Sequence, residues 1–187
     1  MIFLDFDEIK VFLELEKTEA DYPIIPIVEK SVIAAIENYI KRKLEYSNYV
    51  VKDNGSNNSS LFALRALPIS TINSVKIDGA ETTYYGLLKY GIDLYVKLGD
   101  LEIEIDYNGG YKKITDTAPE FSSIESLNEE IYRALFLQTI YEYQNRDYIG
   151  ANSVTNEGGT ISKPGLKLLD EVKRILDSHK HIINCGI

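Results

Sequence analysis

A chain of 187 residues with 44% hydrophobic side chains can bury roughly 70% of its unfolded surface, so its core needs neither disulfides nor a metal. A formal charge of −9 argues against a protein that grips nucleic acid by its phosphates, a task that takes clustered Lys and Arg. The single cysteine, Cys185, excludes an intrachain disulfide framework, and no uninterrupted apolar run approaches the ~20 residues of a membrane helix.

Met1-Ile2-Phe3-Leu4 meets Asp5 at once, so no signal peptide is expected. Phe6 to Leu15 has the pattern of a first helix, with Ile9, Phe12 and Leu13 on one side and Asp5 or Asp7 near its start. Pro23 and Pro26 break the chain, and Pro26 suits the first turn of a second helix. Val28, Val32, Ile36, Ile40 and Leu44 recur every four residues and carry that helix to about Leu44. Lys41, Arg42 and Lys43 then fall in its last turn, where positive charge suits the macrodipole.

Strand chemistry follows at Tyr46 to Val51, Leu61 to Leu67 and Ile72 to Ile77, the last closed by the hairpin dipeptide Asp78-Gly79. Asp53 to Ser60 between them is a polar loop. Shorter stretches at Thr82 to Tyr85, Leu88 to Tyr90 and Ile92 to Leu98 are of the same kind. Leu101 to Tyr107 alternates Leu101, Ile103, Ile105 and Tyr107 with Glu102, Glu104 and Asp106, a strand with one face on a core and one in water. Together these make about five strands in one mostly antiparallel sheet. Asn108-Gly109-Gly110 can take positive φ, and Gly109, Gly110 and Tyr111 form the corner at which the sheet hands over to helices.

A third helix is expected from Ser122 or Ser126, each followed by Glu three residues on. Ile131, Tyr132, Ala134, Leu135, Phe136, Leu137, Ile140, Tyr141 and Tyr143 make it apolar almost all round, so it is a buried helix with one side open to a partner subunit. Arg146 to Lys163 is a long polar loop. Pro164 opens a fourth helix with Leu168, Leu169, Val172, Ile175 and Leu176 on one face, followed by a tail from His179 to Ile187. The expected fold class is α+β in a single domain, with a helical part at 6–45 and 122–178 and a β part at 46–111.

No catalytic constellation emerges. His179 and His181 stand two residues apart at the end of the chain, poorly spaced to share a metal on a helix. With Cys185 they can approach zinc geometry only in an extended tail, and a plain polar tail is the better reading. Glu102, Glu104 and Asp106 superficially resemble a carboxylate site, but no oxygen-ligand loop accompanies them and a solvated strand face explains them. Gly158-Gly159-Thr160 lacks the Lys-Ser/Thr of a phosphate loop. No cofactor, metal or enzymatic activity is expected.

Several runs resemble the head–tail connector (adaptor) proteins of tailed bacteriophages, in their longer form. Ile9-Lys10-Val11-Phe12-Leu13 is similar to the family's opening helix with its Lys-x-x-Leu core. Ala34-Ala35-Ile36-Glu37-Asn38-Tyr39 with Arg42 and Leu44 resembles its second helix. Ala66-Leu67-Pro68-Ile69-Ser70-Thr71-Ile72-Asn73-Ser74-Val75 resembles its proline-led strand, and Asp106-Tyr107-Asn108-Gly109-Gly110-Tyr111 its Ala-Gly-Tyr segment, with Gly in place of Ala. Pro119-Glu120-Phe121 and Tyr143-Gln144-Asn145-Arg146-Asp147 are similar to the start and end of its third helix. The likeness covers roughly residues 6 to 147 and weakens from Pro164 onward.

The resemblance implies a structural virion protein, made in the host cytoplasm and placed at the head–tail neck. It implies a ring of like subunits, typically dodecameric, below the portal protein, with the next neck or tail protein on its other side and no membrane. Double-stranded DNA passes through such a ring without specific binding, so Glu102, Glu104 and Asp106 become candidates for a channel-facing acidic strip. Tyr132, Phe136, Tyr143, Leu168, Leu169, Val172, Ile175, Leu176, Ile182 and Ile183 become candidates for the subunit or portal interface. Another neck protein, such as a stopper or tail-completion protein, stays open. So does a ligand-binding module using Tyr84, Tyr85, Tyr90 and Tyr95.

Overall fold

The computed structural model describes residues 2–54, 60–95, 101–146, 153–156, 159–162 and 167–180. The chain is α+β and divides into two compact units, one made of Met1–Ile40 with Asn128–His179, the other of Lys41–Leu127 with Lys180–Ile187. Among the described residues no helix is long and apolar enough to cross a membrane.

The first unit is helical. Helix α1 (Phe6–Phe12) starts at Asp5, whose carboxylate accepts the Asp7 N–H at 2.8 Å. It stops before the expected Leu15, because Glu14 takes a positive φ of 54°. Helix α2 (Ile24–Ile40) accommodates Pro26 in its first turn, where a missing N–H is harmless. Its buried residues Val28, Val32, Ile36 and Ile40 follow the four-residue spacing. The helix ends four residues before the expected Leu44. Lys41 turns left-handed, with φ 60°, and the Lys43 N–H leaves the helical ladder to donate to the Arg65 carbonyl at 2.8 Å. Lys41, Arg42 and Lys43 are therefore not the last turn of a helix.

Helix α3 (Glu129–Gln144) begins neither at Ser122 nor at Ser126 but at Asn128, whose side chain accepts the Glu130 N–H at 2.9 Å. Before it, Pro119–Phe121 forms one 3-10 turn, and the Lys112 N–H holds the Glu125 carbonyl at 2.9 Å in a non-helical course. Ile131, Ala134, Leu135, Ile140 and Tyr143 are buried, whereas Arg133 and Tyr141 are exposed. The expected loop of residues 146–163 contains a hairpin, β8 (Ser153–Asn156) with β9 (Gly159–Ser162), in which Val154 pairs with Ile161 and Thr155 with Thr160. Val154, Thr155, Thr160 and Ile161 are β-branched, a strand signal in the sequence that polar neighbours obscure. Helix α4 (Asp170–Leu176) is shorter than the expected span from Pro164, and residues 163–166 lie outside the described set. The helical core joins Phe3, Leu4 and Ile9 to the apolar faces of α2 and α3 and to Leu168, Val172 and Leu176 of the α4 region.

Among the described residues the second unit holds seven strands in two antiparallel sheets, where the patterning predicts about five in one. Strands β1 (Ser47–Asn54), β3 (Ile69–Ile77), β4 (Ala80–Glu81) and β7 (Glu102–Gly109) form the larger sheet in the order β1-β7-β3-β4. Strands β2 (Leu61–Ala63), β5 (Gly86–Leu88) and β6 (Gly91–Asp93) form the smaller one, ordered β2-β6-β5. The β3–β4 hairpin turns on Asp78 and Gly79, both at positive φ, as the dipeptide requires. One apolar cluster unites the sheets, with Val75, Ile103, Ile105 and Tyr107 from the larger side and Leu64, Ala66, Ile92 and Leu94 from the smaller. A short three-residue strand cannot bury much alone, so the small sheet depends on this shared core.

Candidate functional site

The Gly109-Gly110-Tyr111 corner is a junction of three backbone segments. The Gly110 N–H donates to the Pro68 carbonyl at 2.9 Å, and the Tyr111 N–H to the Leu44 carbonyl at 2.7 Å. The Tyr46 N–H donates to the Tyr111 carbonyl at 2.8 Å. A Cβ on Gly109 would stand 2.4 Å from the Ala66 carbonyl oxygen. Gly110 sits at φ +101°, and a Cβ there would stand 2.5 Å from the Glu45 carbonyl oxygen. Both glycines are thus required by close approach, and the second also by its dihedral. Arg42 reinforces the junction, its Nη2 donating to the Leu67 carbonyl at 3.2 Å and, more weakly, to the Tyr111 hydroxyl at 3.5 Å. Arg42, Ala66-Leu67-Pro68 and Gly110-Tyr111, far apart in sequence, therefore meet at one place. The arrangement fixes backbone; it offers no chemistry.

On β7 the predicted alternation holds. Ile103, Ile105, Tyr107 and Gly109 point inward and are buried, and Glu102, Glu104 and Asp106 lie on the outer face. The neighbouring strands answer two of those carboxylates. Glu104 stands opposite Lys52 of β1 and Lys76 of β3 and pairs with both, with Lys76 Nζ at 2.7 Å. Hydrogen bonds from these two ammonium groups hold its carboxyl down at about 2, well under its ordinary 4.5. Asp106 accepts from Asn73 at 2.8 Å and from Asn48, which lower its pKa in turn. The strip is polar and internally matched, a fact that spacing within one strand cannot reveal.

The candidate interface residues divide by what they touch. Leu168, Val172, Leu176 and Tyr143 are buried within the chain's own helical core. Leu169 and Ile175 are half-buried. Phe136 meets Phe12 edge-on at 5.4 Å between centroids. The Tyr132 hydroxyl donates to Glu8 and accepts the Asp5 N–H at 3.4 Å, and burial together with that carboxylate pushes its pKa up to about 12. Ile182 and Ile183 lie outside the described residues, as do His181 and Cys185. The rings of Tyr84 and Tyr95 meet at 5.2 Å between centroids, tilted by 57°, and both residues are exposed, with Tyr90. Among the described residues no group of His, Cys, Asp and Glu is placed to hold a metal ion.

Among the described residues the helical unit buries three polar side chains that the patterning does not single out, Glu29, Gln138 and Thr139, and the first two bind backbone. Glu29 on α2 is fully buried, and its carboxylate accepts the N–H groups of Ile2, Phe3 and Leu4 at 2.8, 2.8 and 2.9 Å. Gln138 on α3, equally buried, accepts the Leu169 N–H at 2.9 Å and donates to Glu142 at 2.8 Å and to the Lys167 carbonyl at 3.3 Å. Each anchors a chain segment that has little regular structure of its own. A polar residue at a helix position otherwise fit for Leu or Ile is the only trace either leaves in the sequence.

Charge is distributed unevenly. The helical unit carries 17 acidic against 9 basic residues and the sheet unit 12 against 11, so almost the whole −9 belongs to the helices. Within the sheet unit, the corner gathers Lys41, Arg42, Lys43, Arg65, Lys112 and Lys113. Fewer acids stand among them: Glu45, which pairs with Lys113, then Asp116 and Glu125. The opposite end of the larger sheet carries Asp53, Asp78, Glu81 and Glu102.

The sequence model of the head completion protein family matches residues 2–182. Among solved structures, a chain from the neck of an empty GTA particle, computed with C6 symmetry, superposes with a TM-score of 0.64 at 17% identity, covering 98% of this chain and 92% of that one. A chain from the neck of a native GTA particle with C12 symmetry gives 0.56 at 15% identity, covering 87% and 85%. One from the virion of the native gene transfer agent gives 0.56 at 15%, covering 88% and 80%. These likenesses establish a common fold. No curated protein sequence matches.

Proposed function

We infer that this chain, which belongs to the head completion protein family, is a structural subunit of the virion's head–tail neck. The observation that carries the reading is the extent of the match. The family spans nearly every residue, and the fold of a particle-neck chain covers 98% of this one. The related necks have C6 and C12 symmetry, which supports a closed ring of identical subunits. The proposed ring sits below the portal protein, hands on to the next neck or tail protein, and surrounds the path of double-stranded DNA.

Within that ring, the outer face of β7 remains a proposed channel lining. Glu104 is already matched by Lys52 and Lys76, so its contribution is a hydrated, polar surface more than a repelling one. Glu102 and Asp106 add negative charge to the same face. Leu169, Ile175, Phe136 and Tyr132 stay as proposed interface positions, whereas Val172 and Leu176 serve by keeping α4 on its own helical unit.

Co-expression with the cognate portal protein, followed by electron microscopy of the purified complex, tests the reading. The expected result is a ring of this chain stacked coaxially on the portal ring. A chain that stays apart from the portal, and is absent from the necks of finished particles, overturns it. The channel role is tested on the assembled ring by DNA binding. Tight binding that weakens steeply with salt would contradict it.

A further inference from the structure

Helix α1 leaves an apolar surface uncovered. Val11 is 77% and Phe12 57% exposed, although Phe12 already leans on Phe136. Acidic residues border it. Asp7 and Glu8 are exposed on α1, Glu8 is tied to Tyr132 one turn into α3, and exposed Glu129 opens that helix. Half-buried Lys10 is the one basic residue of α1, so the rim is predominantly acidic, and an apolar centre with such a rim fits a partner whose rim has the opposite charge.

The same chain carries such a surface at the corner of its sheet unit, where cations outnumber the acids beside them. Lys41, Lys43 and Arg65 are exposed in the folded chain, and Ile114 (44% exposed) follows Lys112 and Lys113. We propose that the acid-rimmed Val11–Phe12 surface of one copy docks on the basic corner of the next copy, forming the repeating contact of the ring. Such a contact joins two different surfaces, so it is heterologous and propagates until the ring closes. Charge separation then has a purpose: like faces repel, and only the head-to-tail pairing is attractive. The inference rests on the ring reading above.

Charge reversal tests it, read as occupancy of the neck ring in particles or on co-expressed portal, with circular dichroism and thermal melting confirming that each chain folds. The pair Arg65→Glu with Lys112→Glu is expected to lower occupancy about tenfold or more, which corresponds to roughly 1.4 kcal/mol. Asp7→Lys with Glu129→Lys is expected to do the same, Glu8 being left intact because it holds Tyr132. Placing all four changes in one chain restores the attraction with its signs exchanged, and occupancy returns to within about threefold of wild type. Mixing the two reversed chains restores it as well, since reversed corner meets reversed face and native corner meets native face in alternation.

Should a reversal disturb folding, Arg65→Gln with Lys112→Gln and a salt titration give the same reading, since screening weakens such a contact. Full occupancy by either reversed pair, or failure of the four-fold variant to recover while its parents fold, overturns this contact and leaves the ring intact as a reading. A wild-type chain that forms no ring at all removes both.

Discussion

The backbone N–H of Ala66 donates to the phenolic hydroxyl of Tyr107 at 3.0 Å, with Ala66 fully buried and Tyr107 1% exposed. The bond links β7 to the segment that enters the corner, and burial raises the pKa of the phenol, which stays a neutral partner. Tyr107→Phe keeps the ring in the core and removes only the oxygen. It orphans a buried amide, so a loss of about 1–3 kcal/mol is expected in urea unfolding. An unchanged midpoint would mean that the Ala66 amide finds another partner.

Gly110 is constrained twice over. A side chain there meets the Glu45 carbonyl at 2.5 Å in a backbone conformation that L-residues rarely adopt. Gly110→Ala should cost about 3 kcal/mol or more, the sum of dihedral strain and displaced backbone. Gly79 is the control, because it has φ +76° but nothing within 4 Å of where a Cβ would stand. Gly79→Asn should cost under about 1 kcal/mol, since Asn tolerates the left-handed region. Equal losses at the two sites would deny that close approach matters at the corner.

What the sequence disclosed follows the range of the physics involved. Alternation along β7 and the four-residue stripe of α2 are local, so burial of Ile103, Ile105 and Tyr107, or of Val28, Val32 and Ile36, was legible. The Asp78-Gly79 turn was legible for the same reason. The end of α2 was not, because Lys43 leaves the helix to satisfy Arg65, more than twenty positions away. Nor was the division into two sheets, since β2, β5 and β6 are too short to show a period. At the site, the Gly109-Gly110-Tyr111 corner was visible as a backbone need. The lysines that answer Glu104 belong to other strands, and register is not written in any one of them.

Glu29 offers a test of how the amino-terminal segment is held. Its buried carboxylate serves three amides at once. Glu29→Ala leaves all three without their acceptor and should destabilise by about 3 kcal/mol or more. Glu29→Gln keeps one carbonyl oxygen for Phe3 and Leu4 but turns an amino group toward Ile2, so it should recover part of the loss. Hydrogen exchange at Phe3 and Leu4 should rise in the same order. Slow exchange in the Ala variant would show that packing of Phe3 and Leu4 suffices.

Gln138 plays the matching part for α4. It grips the Leu169 N–H and the Lys167 carbonyl just before that helix starts, where Leu169 at the cap position provides no side-chain bond. Gln138→Leu is close in size but satisfies neither group. The expected cost is about 1–3 kcal/mol, together with faster amide exchange across Asp170–Leu176 relative to α2. A global loss with no preference for α4 would make Gln138 an ordinary core position.

Glu104 sets a pH dependence. Paired with Lys52 and Lys76, it stays ionised in the folded protein down to about 2, whereas its ordinary value is 4.5. As pH falls, the unfolded chain takes up this proton first. The stability contributed by the pairing is therefore complete above about 4.5 and is lost as pH drops toward 2. In Glu104→Gln that contribution is missing at neutral pH, so wild type and variant should differ there and converge in acid. Other lowered carboxylates, such as Asp106, titrate in both proteins, so the difference between the two melting profiles isolates Glu104. The pairing is partly solvated, and about 0.5 M salt should shrink the neutral-pH difference. Melting profiles that run parallel from pH 7 to pH 2 would mean that the two lysines do not hold this carboxylate in solution.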